Sequence, residues 1–201
     1  MFVSKLIGAA RISYRGLASR CLELRFLWWE RLLLSRLEVA GGVNLQVPLR
    51  VDGAGSLFIG RGNSFGYRAA PRDGDGGILL QPRERGAVIR IGDGNWFSNN
   101  TSVVASERIE IGAHCQIGDH VAIYDSDFHE IAPATRTRSA GPSAPVIIGN
   151  NVWLGSRVIV LKGVTIGDNS IVGAMGLVTR SIPPNSIAAG VPAKVIRTIE
   201  Q

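Results

Sequence analysis

Three histidines, His114, His120 and His129, are the side chains of this 201-residue sequence whose ordinary pKa lies near neutrality. His114 and His120 each stand three places after an isoleucine, Ile111 and Ile117, that belongs to a repeat of six. Six residues apart on such a repeat, they fall on neighbouring, outward faces. A zinc site needs three ligands converging on one point. They therefore read as exposed structural histidines, and no metal is expected. His129 sits in Tyr124-Asp125-Ser126-Asp127-Phe128-His129-Glu130, where the repeat stops and a polar stretch begins. An imidazole placed there can take a proton from a hydroxyl as the oxygen attacks. A carboxylate on the other ring nitrogen would fix the tautomer, and Asp127 and Glu130 are both candidates. Asp73-Gly74-Asp75-Gly76 has the look of a calcium loop. Yet Gly77 and Ile78 follow where an oxygen ligand and a glycine are required, so a turn is expected. Cys21 and Cys115 lie outside any metal-ligand spacing and read as free thiols in a reducing compartment.

The repeat that must position His129 is clearest from Val146 to Pro192. One apolar column runs through Ile148, Leu154, Val160, Ile166, Val172 and Val178. A second, four places on, holds Val152, Val158, Val164, Ser170, Gly176 and Ile182. Six residues make one and two-thirds helical turns, so such a column would rotate around a helix. Short strands that each turn a corner fit instead, and hexapeptide repeats are the signature of a parallel β-helix. Regular repeats start at Ile91-Gly92 and continue through Phe97, Val103 and Ile109. Ile111, Ile117 and Ile123 are shifted by two, which predicts a small insertion near Glu110. The stretch 125–145 is rich in Ser, Thr, Pro and Arg and has no columns, so it reads as a loop thrown from a corner. Long loops on rigid scaffolds are where function concentrates. Residues 43–90 read as irregular early coils, broken by a loop from Gly66 to Gly77. Arg83, Glu84 and Arg85 form a solvated charge cluster.

The stretch IGNNVWLGSRVIVLKGVTIGDNSIVGAMGLVTRSIPPNSIAAGVPAKVIR closely resembles hexapeptide-repeat acyltransferases, including galactoside and maltose O-acetyltransferases and enzymes that acetylate bacterial surface polysaccharides. The resemblance covers roughly residues 88–197. It implies an all-β fold, a left-handed parallel β-helix, working as a homotrimer whose sites lie between subunits. It implies acetyl-CoA as co-substrate and a sugar or glycan as acceptor. It gives His129 the role of base, although the family's Gly-His-Pro is Phe-His-Glu here. Asn99 matches an asparagine that contacts the acceptor sugar, and Trp153 a tryptophan beside the acyl and sugar site. The backbone at Ser156, Gly173 and Ala174 matches positions that bind the pantetheine arm. Arg180 and Lys194 match basic residues near the adenosine and its phosphates. Met175-Gly176 departs from the family's Gly-Ser.

Residues 1–40 differ from the rest. Proline is absent, Leu, Arg, Ala and Glu dominate, and apolar residues from Ile7 to Trp28 recur at three and four, which predicts a helix. The expected domains are a helical extension over 1–42 and the β-helix over 43–201. Seven basic residues oppose three acidic ones in this extension, within a chain of net charge +6. Two readings stand: a cap on the solenoid, or a basic amphipathic helix on an anionic membrane face. Charges interrupt the apolar run, which argues against a transmembrane span or a signal peptide and for a cytoplasmic protein. Basic residues are not interleaved with exposed aromatics, so no nucleic-acid partner is expected. Two further functions are open alternatives: N-acetylation of an amino-sugar, and a non-catalytic β-helical scaffold.

Overall fold

The structure is a computed structural model and describes residues 36–200. Its secondary structure is twenty short strands, with no helix among the described residues. The strands fall into three sheets that the chain visits in rotation. The first sheet runs from Arg36–Val39 to Thr165–Ile166, and the third from Leu49–Val51 to Leu177–Val178. The second runs from Asn44–Leu45 through Trp96–Phe97, Gln116–Ile117 and Trp153–Leu154, and ends at Ser186–Ala189 and Lys194–Thr198. Every pairing is parallel except the last, where Lys194–Thr198 turns back antiparallel on Ser186–Ala189. This is the left-handed parallel β-helix that the columns and the resemblance led us to expect. It is a triangular prism with three long edges. The first edge joins sheets one and two, the second joins two and three, and the third joins three and one.

Both columns point inward. Leu154, Val160, Ile166, Val172 and Val178 are fully buried, as are Val158 and Ser170. Burying one such aliphatic side chain stabilises by roughly 1.5–3 kcal/mol. The buried Ser170 hydroxyl donates to the Pro183 carbonyl at 2.8 Å, which removes the cost of a polar atom inside. Phe65 and Phe97 stack in the axis with centroids 4.9 Å apart.

Ile91 pairs with Ile111, twenty residues on, against eighteen for a plain coil. The two extra residues sit at the third edge, at Ser106 and Glu107, just ahead of the expected Glu110. Asp125, fully buried, receives the backbone N–H groups of Ser106, Glu107 and Arg108 at 2.7, 2.8 and 2.7 Å. One carboxylate thus satisfies the whole inserted corner.

The coil starts earlier than position 43. Arg36–Val39 pairs with Ser56–Ile59 as the first strand of sheet one, so the helix expected over 1–40 is corrected for these residues. Leu37 and Val39 pack against the core while Arg36 and Glu38 face outward, and this period of two outweighs local helix propensity. The remainder of that helix, and with it the membrane-surface reading, lies outside the described residues. Among the described residues no helix is long and apolar enough to cross a membrane.

Candidate active site

The residues singled out in the sequence divide between two edges of the prism. Asp127, His129, Glu130 and Arg180 lie at the third edge, where the chain passes from Ala122–Tyr124 to Val146–Ile148 and from Leu177–Val178 onward. Asn99, Ser156, Gly173 and Ala174 lie at the second edge. Trp153 stands three residues before that edge on the outer face of sheet two, and Lys194 pairs with Ala189 at its far end. Crossing from edge to edge takes about six residues at roughly 3.3 Å each, or about 20 Å. The two groups therefore do not meet within one copy of the chain.

At the third edge the loop 125–145 is closed at its base by a bridge between Ser126 and Ser143. The Asp127 N–H donates to Pro142 O at 3.2 Å, and the Ala144 N–H to Asp125 O at 2.9 Å. Phe128 holds a left-handed conformation, φ 62°, which aims the next residue outward. Its ring is held edge-on by Tyr124 at 5.7 Å and by the Arg83 guanidinium at 5.2 Å. His129 is exposed, and its Nδ1–H donates to the Arg136 carbonyl at 3.0 Å. That bond fixes the tautomer and leaves Nε2 with its lone pair toward solvent. The orienting carboxylate sought among Asp127 and Glu130 is corrected to a backbone carbonyl. Asp127 instead pairs with Lys162 at 2.9 Å, pinning the loop to the next coil. Glu130 makes no hydrogen bond or ion pair among the described residues.

Corner amides of the first edge, and that of Tyr67 at the second, are taken up by a side chain of the next coil, and that of Ser156 is not. At the first edge, Arg61, Ala113 and Asn150 donate their N–H groups to Asp93, Asn150 and Asp168, side chains one coil further on. At the second edge the residue one coil beyond Ser156 is Ala174, which has no acceptor. The Ser156 and Ala174 N–H groups have no partner among the described residues. Unpartnered amides at an exposed edge are donors ready for a ligand. A Cβ at Gly118 would lie 2.6 Å from Ser156 N, and one at Gly155 2.7 Å from Ala174 N, so glycine is needed beneath both. Gly173 differs from expectation, because its N–H donates to Ala188 O at 2.8 Å within the coil. Gly176 has no room for the family's serine, since a Cβ would meet Val172 Cγ1 at 2.8 Å. Met175 beside it is exposed.

Asn99 is also not placed as expected. It is fully buried, and its side chain is engaged by loop 66–77. Oδ1 accepts from Tyr67 N at 2.9 Å, and Nδ2 donates to Tyr67 O, Ala70 O and Pro71 O at 3.0–3.2 Å. It is a latch for that loop rather than a contact for a sugar. His120, read as an exposed structural histidine, is only 21% exposed at its side chain. Its Nε2 lies 2.6 Å from Asp73 of the same loop and its Nδ1 3.0 Å from Asp119. Its hydrogen bonds to the carboxylates of Asp73 and then Asp119 raise its pKa. Asp119 also accepts the Ser156 hydroxyl, which, more than His120, draws its carboxyl below the usual range. No sequence signal links Asp73 to His120, because they are 47 residues apart. Arg180 and Lys194 are exposed, with no ion pair among the described residues. No cluster of three metal-binding side chains occurs among the described residues.

Residues 145–180 match the family described as bacterial transferase hexapeptide (six repeats). The chain is 42% identical over 114 residues to galactoside O-acetyltransferase of Escherichia coli, which is 57% of this chain and 56% of that protein. It is 42% identical to the galactoside O-acetyltransferase of Lactococcus lactis over 57% of this chain and 55% of that one. The chain thus spans about half the length of the curated relatives it matches. A solved galactoside acetyltransferase in complex with coenzyme A superposes with a TM-score of 0.57 at 25% identity, over 94% of this chain and 82% of that chain. A hexapeptide-repeat acetyltransferase from Vibrio cholerae superposes with a TM-score of 0.60 at 24% identity, over 94% and 92% of the two chains, and supports the fold.

Proposed function

We propose that this chain, whose residues 145–180 match the hexapeptide-repeat transferases, is a member of that family and transfers acetyl from acetyl-CoA to a sugar hydroxyl in glycan or surface-polysaccharide synthesis. The observation that carries the reading is His129, with Nδ1 tied to Arg136 O and Nε2 presented outward from the loop. His129 Nε2 takes the hydroxyl proton as the sugar oxygen attacks the thioester carbonyl. The Ser156 or Ala174 N–H donates to the oxyanion that forms. The carbonyl then re-forms, the carbon–sulfur bond breaks, and the departing thiolate takes the proton back from His129. The products are a sugar acetate and free CoA. A thioester is already activated, so the step needs no metal. The same amides suit the carbonyls of a pantetheine arm, and Arg180 and Lys194 suit the nucleotide phosphates.

The division of these groups between two edges supports a homotrimer. Placing the second edge of one copy against the third edge of the next brings His129 and Arg180 to the amides and Lys194. Such a head-to-tail contact, repeated three times, closes a ring. The 42% identity to galactoside O-acetyltransferases favours a hydroxyl acceptor over an amine.

Replacing His129 with Ala or Asn should lower kcat by roughly two to four orders of magnitude. CoA should still raise the melting temperature of the variant. Near-normal turnover would remove His129 as the base. Absence of any CoA effect on the parent protein would leave the scaffold reading in its place.

A further inference from the structure

The outer face of the second sheet carries a groove that acetyl transfer alone does not require. Trp96, Gln116 and Trp153 stand one above another in the ladder, about 4.8 Å per rung. Trp96 and Trp153 are 57% and 52% exposed, unusual for tryptophan on a sheet surface. Tyr67, 53% exposed, comes from loop 66–77 and joins them around a cavity of about 190 Å³. A second cavity of about 580 Å³ begins at the same Gln116 and Trp153 and extends to the first edge. There Asn151, Asn169 and Asn185 line it. All three hold left-handed corners, with φ from 54° to 59°. Their side chains form a directional ladder: Asn151 Nδ2 donates to Asn169 Oδ1, and Asn169 Nδ2 to Asn185 Oδ1, each at 2.9 Å. Each amide keeps further donor or acceptor capacity for a ligand.

The charge of the groove narrows what it can bind. The chain carries net charge +6, yet no Lys or Arg lines either cavity, and Glu200 is the one carboxylate at the rim. A phosphate- or carboxylate-rich polymer would find no fixed cation here, His114 being the one basic side chain in the lining. Exposed aromatic rings suit the apolar faces of pyranose rings, and neutral amides suit their hydroxyls. Three rungs separate Trp96 from Ile171, about 14 Å in all, which is too long for one sugar.

We propose that this face binds a neutral oligosaccharide of at least two units, stacked on Tyr67, Trp96 and Trp153 and hydrogen-bonded by Gln116 and the asparagine ladder. The proposal rests on the sugar-acceptor reading above and makes that acceptor a glycan chain rather than a free monosaccharide. In a ring closed second edge to third edge, sheet three faces the symmetry axis. Sheet two then faces outward, and the groove stays open beside the reacting groups.

The test is binding of the full chain to an array of neutral and acidic oligosaccharides, followed by tryptophan-fluorescence titration of those that bind. Neutral glycans should bind, with a tetrasaccharide at least tenfold tighter than its monosaccharide. Trp96→Ala and Gln116→Ala should weaken that binding about tenfold and severalfold, Trp96→Phe much less. CoA should stabilise these variants as it does the parent, and light scattering should give the same mass. A silent array, binding of acidic glycans only, or equal affinity for one and four units would overturn the proposal. A Trp96→Ala chain that loses its oligomeric state would overturn it too, and make the face a contact between copies. Because CoA stabilisation is measured on the same samples, loss of the acyl-transfer reading would be seen separately.

Discussion

Replacing Asp125 by Asn tests how the base loop is fixed to the coil. The fully buried carboxylate accepts three backbone N–H groups where the inserted third-edge corner meets the start of loop 125–145. Asn keeps the shape but offers a single acceptor oxygen, so at least one amide faces an NH2 group instead. A hydrogen bond to a charged acceptor contributes roughly 1.5–3 kcal/mol net, and an unsatisfied buried amide costs about 1–3 kcal/mol. Water entering the corner and relaxation would recover part of this. The expected loss is about 2–4 kcal/mol, which for a chain of this size lowers Tm by roughly 4–16 °C. Since the corner lies at the root of the His129 loop, kcat should fall as well. KM for acetyl-CoA should hold, because the amides of the second edge are untouched. Circular-dichroism melts and steady-state kinetics on the same preparation read both effects. A variant melting within about 1 °C of the parent would refute the view that this carboxylate holds the corner.

Ala174→Asp should supply the acceptor that Ser156 lacks, occupy the Ser156 N–H as Asp168 does that of Asn150, and raise KM for acetyl-CoA at least tenfold without lowering Tm. If the site is shared between copies, refolding this variant with His129→Ala should restore activity to about a quarter of the sites, since each site then draws its edges at random from two chains; no recovery would place both edges of a site on one copy. The raised pKa of His120 makes its ties to Asp73 and Asp119 strongest below about 6.5 and weaker as pH rises through the folded value. The stability lost in His120→Gln should therefore shrink from pH 6 to pH 9, and a loss that is flat or grows over that range would contradict the assignment. Arg180→Glu and Lys194→Glu should weaken CoA more than dephospho-CoA if either reaches the 3′-phosphate, and equal losses would place them elsewhere.

The coil could be read from the sequence because its core is periodic. Ile148, Leu154 and Ile166 each repeat a demand that the same interior makes at every corner. Loop 125–145 was visible as the place where that demand lapses, and His129 as the titratable group standing there. Its partner was hidden, because Arg136 contributes only a carbonyl, which every residue carries. Asn99 misled because its side chain answers to loop 66–77, a segment with no period to reveal where it folds back. Arg36–Val39 was hidden in a helix-like stretch because pairing with Ser56–Ile59 is a long-range fact. The bare amides at Ser156 and Ala174 follow from a missing acceptor one coil away. That could have been noticed by laying the corners Asp93, Asn150 and Asp168 beside Ala174.

The corner insertion at Ser106 and Glu107 bears on how such a protein can change over evolutionary time. Two extra residues are absorbed at one edge, and every rung beyond it stays aligned, Ile91 on Ile111 and Phe97 on Ile117. Length variation at a vertex of the prism is therefore invisible to its neighbours. Loop 66–77 leaves from another vertex and brings Tyr67 to the groove, while the donor amides sit on coils that the loop does not interrupt. Descendants of one gene could exchange that loop for a longer or shorter one and meet a new acceptor while keeping the same thioester chemistry. Acceptor choice and acyl-donor use would then be inherited as separate characters, divided by geometry rather than by domain boundaries.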